Sequence, residues 1–242
     1  MVKLLPATFR WVPKVEDIIK IAGIHPSRVF NVYVFGSRVY GTYDSASDWD
    51  IIMVANNSVE AVELNKSVQD EYSYNLQTRT IKYNIHVYTP DRFKKDLEWH
   101  RMNNLECIFA PEWAILKEDK KFDFQINLPK LRHATSHVSS NSWVKCKKKL
   151  LIEGEYRTAI KSFYHSIRIP MFAAQIARYG RITDFTAANF IWRRLMFEEV
   201  AYNPKTYSPE HKDRRWDWNG LNVEFKTTYN LMLSLFRRAT TK

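Results

Sequence analysis

Two short stretches near the start of the chain carry residue types suited to chemistry on phosphates. Gly36 has no side chain, so backbone amides at this point can approach a phosphate closely, and Ser37 adds a hydroxyl donor. Asp48 and Asp50 lie two residues apart in an apolar stretch, so in a strand both carboxylates point to the same face. Two like charges on one face are costly without a cation, and Mg²⁺ prefers oxygen ligands. The stretches together predict phosphate binding beside a divalent metal.

Either stretch alone is typical of an ordinary turn or strand entrance. Their order and spacing resemble the motif of DNA polymerase beta-like nucleotidyltransferases, which is an apolar residue, Gly-Ser, about ten spacer residues and Asp-x-Asp between apolar residues. Phe35-Gly36-Ser37 and Asp48-Trp49-Asp50-Ile51 match this motif. The resemblance implies that Gly36 and Ser37 hold a nucleoside triphosphate. Arg38, the next residue, is expected to add a positive charge for nucleotide binding. It also implies that Asp48 and Asp50 are catalytic and bind Mg²⁺ or Mn²⁺.

The third acidic residue that this family usually places on a neighbouring strand is not evident. The predicted strand Thr80–Tyr88 offers Asn84 and His86 on its polar face and no carboxylate. Asn84 is a candidate neutral metal ligand, and His86 is a candidate base or hydrogen-bond donor, although an ordinary strand face explains His86 equally well. The open alternatives are an acid from elsewhere, a site with two carboxylates, or reduced or lost activity. The candidate acids are Asp70, Glu71, Asp91 and Glu106.

Basic residues mark the second half of the chain. Lys161, His165 and Arg168 follow helical spacing and share one face, which predicts contact with the nucleotide or, equally, a solvated stripe. The surrounding run is similar to a segment of uncharacterised phage and giant-virus-type nucleotidyltransferases. Further basic and aromatic residues favour nucleic-acid binding, although such tryptophans are more often part of a core. They are Lys145, Lys147, Lys148 and Lys149 beside Trp143, and Arg193, Arg194, Arg214, Arg215, Trp216 and Trp218.

Composition narrows the class of protein. The chain has 242 residues, a formal net charge of +11 and 45% hydrophobic residues, which together predict a folded protein with a polyanionic partner. Cys107 and Cys146 have no metal-site spacing and are expected to be reduced thiols. We expect a cytoplasmic protein without membrane contact, because the sequence shows neither a signal peptide nor a run of roughly 18 apolar residues. The oligomeric state is left open.

The elements that must position these residues indicate an α+β fold, with a mixed sheet and flanking helices followed by an all-α helical bundle. We predict a catalytic domain over residues 1–128 and a helical domain over 129–242. The predicted strands are 29–35, 48–54 and 80–88, and residues 55–79 stay undecided. The predicted helices are 13–22, 90 to about 103 with Thr89 as N-cap, 131–151, 155–179 with a kink at Pro170, 183–201 and 221–238, and residues 202–219 are predicted to be a loop.

The function that these patterns predict is metal-dependent transfer of a nucleoside monophosphate from a triphosphate to an acceptor hydroxyl. The positive charge favours a nucleic-acid acceptor, such as an RNA 3′ end. The alternatives are nucleotidylation of a protein or small molecule, as toxins and antibiotic-modifying enzymes do, and a catalytically impaired member that binds nucleotide or RNA.

Overall fold

The structure is a computed structural model that describes residues 12–44, 47–72, 77–196 and 216–241. The described residues form two compact units, which span Met1–Gln125 and Ile126–Lys242. The predicted boundary after residue 128 falls at the start of the first helix of the second unit. None of the described helices is long and apolar enough to cross a membrane.

The first unit is built around a sheet. Its described residues contribute five strands in the order β3-β4-β2-β1-β5, in which β2 and β4 are parallel and the other neighbours antiparallel. In chain order, the elements of this unit are α1 (Val15–Ala22), β1 (Val29–Phe35), α2 (Ser37–Tyr40), β2 (Trp49–Ala55), β3 (Ala61–Tyr72), β4 (Gln77–Tyr88), α3 (Pro90–Glu98), α4 (Met102–Ile108) and β5 (Ile115–Glu118).

Burial explains which strands the sequence reveals. β1 and β2 occupy the interior of the sheet and are buried along most of their length, as their continuous apolar runs predict. β4 alternates as predicted: Ile81, Tyr83, Ile85 and Val87 are buried, and the residues between them are more exposed. β3 lies at the sheet edge, and most of its described side chains are exposed. Half-buried and exposed residues alternate only over Ala61–Asn65, which is too short and weak a pattern to predict the strand.

The face of the sheet that carries the polar side chain of Asn84 continues along β4 to Tyr88. The Tyr88 ring lies 6.3 Å from the Phe93 ring of α3, and Phe93 also stacks on Tyr33 at 6.2 Å. Helix α3 therefore covers this face at the C-terminal end of β4. Asn84 lies four residues before Tyr88, level with Asp50 near the start of β2.

The helix after Thr89 is shorter than predicted. Thr89 is the N-cap, as expected, because its hydroxyl accepts a hydrogen bond from the Arg92 amide at 3.3 Å. The expected continuation to about residue 103 is wrong, since α3 ends at Glu98. The break is marked by His100, which has φ 57° and is buried, with its ring 5.1 Å from the Phe124 ring. A second helix, α4, follows the break.

The second unit is helical in its described part, which contains α5 (Leu128–Lys148), α6 (Tyr156–Tyr179), α7 (Asn189–Met196) and α8 (Trp218–Ala239). Aromatic rings fill the space between α5, α6 and α8. Trp143 stacks on Tyr229 at 4.3 Å and lies 5.2 Å from Phe163. Trp216 is buried and its indole nitrogen donates to the Leu195 carbonyl at 3.1 Å. Trp143 and Trp216 thus belong to the core, which is the usual place for such residues.

Several predicted boundaries in the second unit differ from the observed ones, and α5 spans Leu128–Lys148 instead of 131–151. The helix expected from Thr183 begins at Asn189, because the Gln175 side chain accepts hydrogen bonds from the Thr183 and Asp184 amides and holds this segment in turns. The loop expected to reach Asn219 ends earlier, since α8 begins at Trp218 with the Asp217 side chain as its N-cap. Residues 202–215 of that predicted loop, which include Arg214 and Arg215, lie outside the described residues.

Candidate active site

The Gly-Ser stretch and the Asp-x-Asp stretch meet at Gly36 and Asp50. Phe35 and Asp50 are paired across β1 and β2, so Gly36 follows immediately after the partner of Asp50. Gly36 has φ +80°, and an added Cβ would overlap the Asp50 carboxylate, lying 3.0 Å from its Cγ. A glycine is therefore required here both by the backbone conformation and by the packing of the Asp50 carboxylate against the chain.

The residues after Gly36 form a single helical turn, α2. The Val39 amide donates to the Gly36 carbonyl at 3.0 Å, which leaves the Ser37 amide ahead of the first intrahelical bond. The turn is anchored at its other end, where the buried Tyr40 hydroxyl donates to the Glu106 carboxylate of α4. This anchor holds the turn that presents the Ser37 amide, one of the donors that the sequence predicts for phosphate.

Arg38 is bound to the backbone that leads into Asp48. Its Nη2 donates to the Ser47 carbonyl at 2.6 Å and its Nε donates to the Asp48 carbonyl at 3.1 Å. The guanidinium also lies over the Trp49 ring, 4.1 Å from the centroid. These contacts hold the loop before β2 in place, and they give Arg38 a structural link to Asp48 that the sequence alone does not reveal.

Asn84 lies beside Asp50. The two residues are paired in the parallel ladder between β2 and β4, so their side chains are neighbours on one face. The Asn84 Oδ1 atom is buried and accepts no hydrogen bond within the described part of the chain. A buried oxygen without a donor is unfavourable, and it suits a cation. Asp48, which is exposed, immediately precedes β2 and completes a set of three oxygen-bearing side chains.

His86 lies two residues after Asn84 on the same face of β4. Its partner on β2 is Ile52 instead of Asp50. Its ring makes an edge contact with Phe35 at 5.7 Å. Burial lowers the pKa of His86, and Glu63, paired with His86 on β3, opposes this shift. The imidazole is thus neutral at neutral pH. Sequence reasoning missed Glu63, because an exposed edge strand gives no pattern that would single it out.

The acids considered as replacements for a third carboxylate lie in different places. Glu106 is buried and bonded to Tyr40, and Asp91 is exposed in the first turn of α3. The side chains of Asp70 and Glu71 lie outside the described part of the structure. Among the residues that are described, no group of three or more His, Cys, Asp and Glu side chains is arranged to hold a metal. Asn84 is the residue of β4 that is paired with Asp50.

The basic residues predicted on one face of α6 have unequal surroundings. Lys161 is exposed, His165 is half-buried and Arg168 is buried. Arg168 Nη2 lies 3.0 Å from His165 Nδ1, and the guanidinium lies 4.8 Å from the Phe172 centroid. Within the lysine cluster of α5, Lys148 is paired with Glu153 at 2.9 Å and Lys147 lies over the Trp218 ring. The cluster expected from the sequence is thus divided among separate partners.

A match to a protein-family model identifies the class of domain in the first unit. The model of the nucleotidyltransferase domain family matches residues 15–106, which include both stretches and β4. Residues 15–106 of the first unit therefore match the nucleotidyltransferase domain, which is of the DNA polymerase beta-like superfamily.

Comparisons with individual proteins are less informative. A search of curated proteins finds no significant match. Among solved structures, the chain is similar to a nucleotidyltransferase-like protein from Exiguobacterium sibiricum 255-15, with 9% identity and a TM-score of 0.31 over 93% of this chain and 72% of that chain. A likeness at this score supports no inference about function.

Proposed function

We propose that the protein is a divalent-metal-dependent nucleotidyltransferase that moves a nucleoside monophosphate from a nucleoside triphosphate to an acceptor hydroxyl and releases pyrophosphate. The observation that carries the proposal is the oxygen set at the start of β2, where the buried Asn84 Oδ1 lies beside Asp50 without a donor in the described residues. Asp48, Asp50 and Asn84 fit Mg²⁺ or Mn²⁺, because all three offer hard oxygen ligands. The bound metal would neutralise charge on the phosphates.

The remaining residues of the site receive roles from their contacts. Gly36 lets the backbone approach the triphosphate, and Ser37 donates from its amide and hydroxyl to the phosphates. Arg38 is a positioning residue, because its guanidinium holds the carbonyls of Ser47 and Asp48. His86 is the candidate acceptor of the proton from the attacking hydroxyl, because a lowered pKa keeps it neutral at neutral pH.

The acceptor we propose is a nucleic acid, in particular an RNA 3′ end. The net charge of +11 favours a polyanionic acceptor over a cationic small molecule. A second candidate is favoured by Asn84, which stands where a carboxylate would bind metal more strongly. In that case the domain binds nucleotide or RNA and transfers little or nothing.

Incubation of the purified full chain with each labelled nucleoside triphosphate, Mg²⁺ or Mn²⁺ and RNA tests the proposal. We expect label at the RNA 3′ end, and we expect EDTA or the double variant Asp48→Asn with Asp50→Asn to abolish it. Asp91→Asn is the matched control and should retain activity, since Asp91 is an exposed residue of α3.

Two other results would redirect the proposal. Label on protein or on a small alcohol, but not on RNA, would change the acceptor and keep the enzyme class. An absence of transfer to every acceptor, with triphosphate binding that needs neither Mg²⁺ nor Asp48 and Asp50, would favour the impaired member.

A further inference from the structure

Four basic side chains of the second unit converge between α5 and α6. Two contacts fix the antiparallel register of these helices: Ser139 Oγ donates to the Ser166 carbonyl at 2.7 Å, and the Trp143 and Phe163 rings are 5.2 Å apart. The same register places Lys145 of α5 level with Lys161 of α6. We call Lys145, Lys161, His165 and Arg168 the α5–α6 basic cluster.

His165 is a hydrogen-bond donor in this cluster. A guanidinium has no acceptor, so the 3.0 Å contact between Arg168 Nη2 and His165 Nδ1 makes Nδ1 the acceptor and leaves the ring proton on Nε2. Burial, Arg168, Lys161 and Lys145, in that order, lower the pKa of His165 to about 3. The imidazole therefore stays neutral at physiological pH and offers an N–H group at Nε2.

The lysines of the cluster differ from their neighbours in sequence. Lys149 is paired with Glu155 at 2.8 Å, and Lys148 and Lys149 share Glu153, so these charges are neutralised locally. Lys145 and Lys161 are exposed and form no ion pair with any residue that the structure describes. Two ammonium groups at one level of neighbouring helices, without a carboxylate partner among the described residues, favour an anion.

We infer that the α5–α6 basic cluster binds a backbone phosphate of a nucleic acid. Two lysine ammonium groups and a neutral imidazole N–H are donors of the kind that contact phosphate oxygens. The choice of nucleic acid as the source of the phosphate rests on the proposed function. The cluster supplies a binding contact and has no part in the transfer step itself.

Fluorescence anisotropy of a labelled single-stranded RNA with the full chain, in EDTA and without triphosphate, tests this inference. The double variant Lys145→Ala with Lys161→Ala should weaken binding about tenfold. It should also reduce the slope of log affinity against log salt by about 1.4, because each lost contact to a single strand contributes about 0.7. The control removes the same charge from the same helices outside the cluster, through Lys147→Ala with Arg178→Ala, and should stay within about twofold of wild type.

Three outcomes would overturn the inference: wild-type RNA affinity in the cluster variant, equal weakening in both double variants, or loss of ATP binding in EDTA with RNA binding unchanged. The last result would assign the phosphate to the triphosphate. RNA binding is measured in EDTA, where metal-dependent transfer cannot occur. The inference therefore stands if the protein has no transfer activity but binds RNA through the cluster. It fails by itself if transfer to RNA occurs and the cluster variant binds RNA normally.

Discussion

In the first unit two carboxylates and an amide oxygen meet at the start of β2, whereas in the second unit basic side chains meet between α5 and α6. The first group comes from neighbouring strands, where Asp50 and Asn84 are paired by the ladder itself. The second group comes from two helices, and Lys145 reaches the level of Lys161 through packing. One group suits a cation and the other an anion, which is the combination that the proposed function requires.

The origin of each group decides how much the sequence reveals. The Asp-x-Asp spacing predicts Asp48 and Asp50 as a pair on one face, although in the structure Asp48 lies one residue before β2. The position of Lys145 beside Lys161 depends on how α5 packs against α6, and no local pattern encodes this register. Single substitutions in the first unit should therefore have large effects on activity, and those in the second unit should have smaller and more distributed effects.

The largest effect is expected at Gly36. Gly36→Ala introduces a side chain at φ +80° and forces it against the Asp50 carboxylate, so we expect a loss of transfer activity of about 100-fold. Gly23→Ala is the matched control, because Gly23 has φ +70° and nothing within 4 Å of an added Cβ. Gly23→Ala should lose about 1 kcal/mol of unfolding free energy from the backbone alone, and Gly36→Ala should lose more, about 1–3 kcal/mol, because Gly36 has ψ −154° and lies in a region that essentially only glycine adopts. Equal transfer rates in both variants would show that Asp50 does not depend on Gly36.

A smaller effect is expected at Arg38. If it positions Asp48, Arg38→Ala should lower kcat about tenfold and leave KM for the triphosphate within about twofold, because the loop geometry is lost while phosphate donors remain. Direct contact with phosphate would instead raise KM. Steady-state kinetics of Arg38→Ala and of the exposed control Arg28→Ala separate these roles.

The last expected effect is on stability instead of activity, and it comes from the neutral state of His165. Its pKa in the folded protein is about 3, below the value of about 6.5 in an unfolded chain, so the unfolded state binds the extra proton between these values. Stability should therefore be highest above pH 6.5 and fall as pH drops toward 3, with a contribution from His165 of at most about 1.4 kcal/mol per pH unit.

Urea unfolding of wild type and His165→Gln at pH 4.5 and 7 measures this contribution. The glutamine can still accept a hydrogen bond from Arg168, so the variant should lose less stability than wild type on acidification. A wild type and a variant with the same pH dependence would mean that His165 is protonated in the folded protein.

The fold was predictable where burial imposes a pattern. β1 has the predicted bounds, and β4 was recognised from its alternation, because one of its faces is buried. β3 stayed undecided because its exposed edge position removes that pattern. The end of α3 could not be foreseen, since neither glycine nor proline marks the reversal at His100. The start of α7 depends on the Gln175 side chain from another helix.

The candidate site was predictable in its motif and less so in its supporting contacts. The pairing of Asp50 with Asn84 follows from a parallel register that the sequence does not specify, and the buried state of the Asn84 oxygen requires the folded sheet. The hydrogen bonds from Arg38 to the carbonyls of Ser47 and Asp48 could not be predicted, because a motif identifies residue types and not their partners.

Mn²⁺ binding, followed by electron paramagnetic resonance on the full chain without nucleotide, tests most directly whether the start of β2 is a metal site. Wild type should bind Mn²⁺, Asp50→Asn should weaken binding about 100-fold, and Asn84→Ala should weaken it about tenfold, since one ligand is charged and the other neutral. The control Asn103→Ala, on the exposed side of α4, should bind like wild type. An Asp50→Asn variant that binds Mn²⁺ as tightly as wild type would contradict the account.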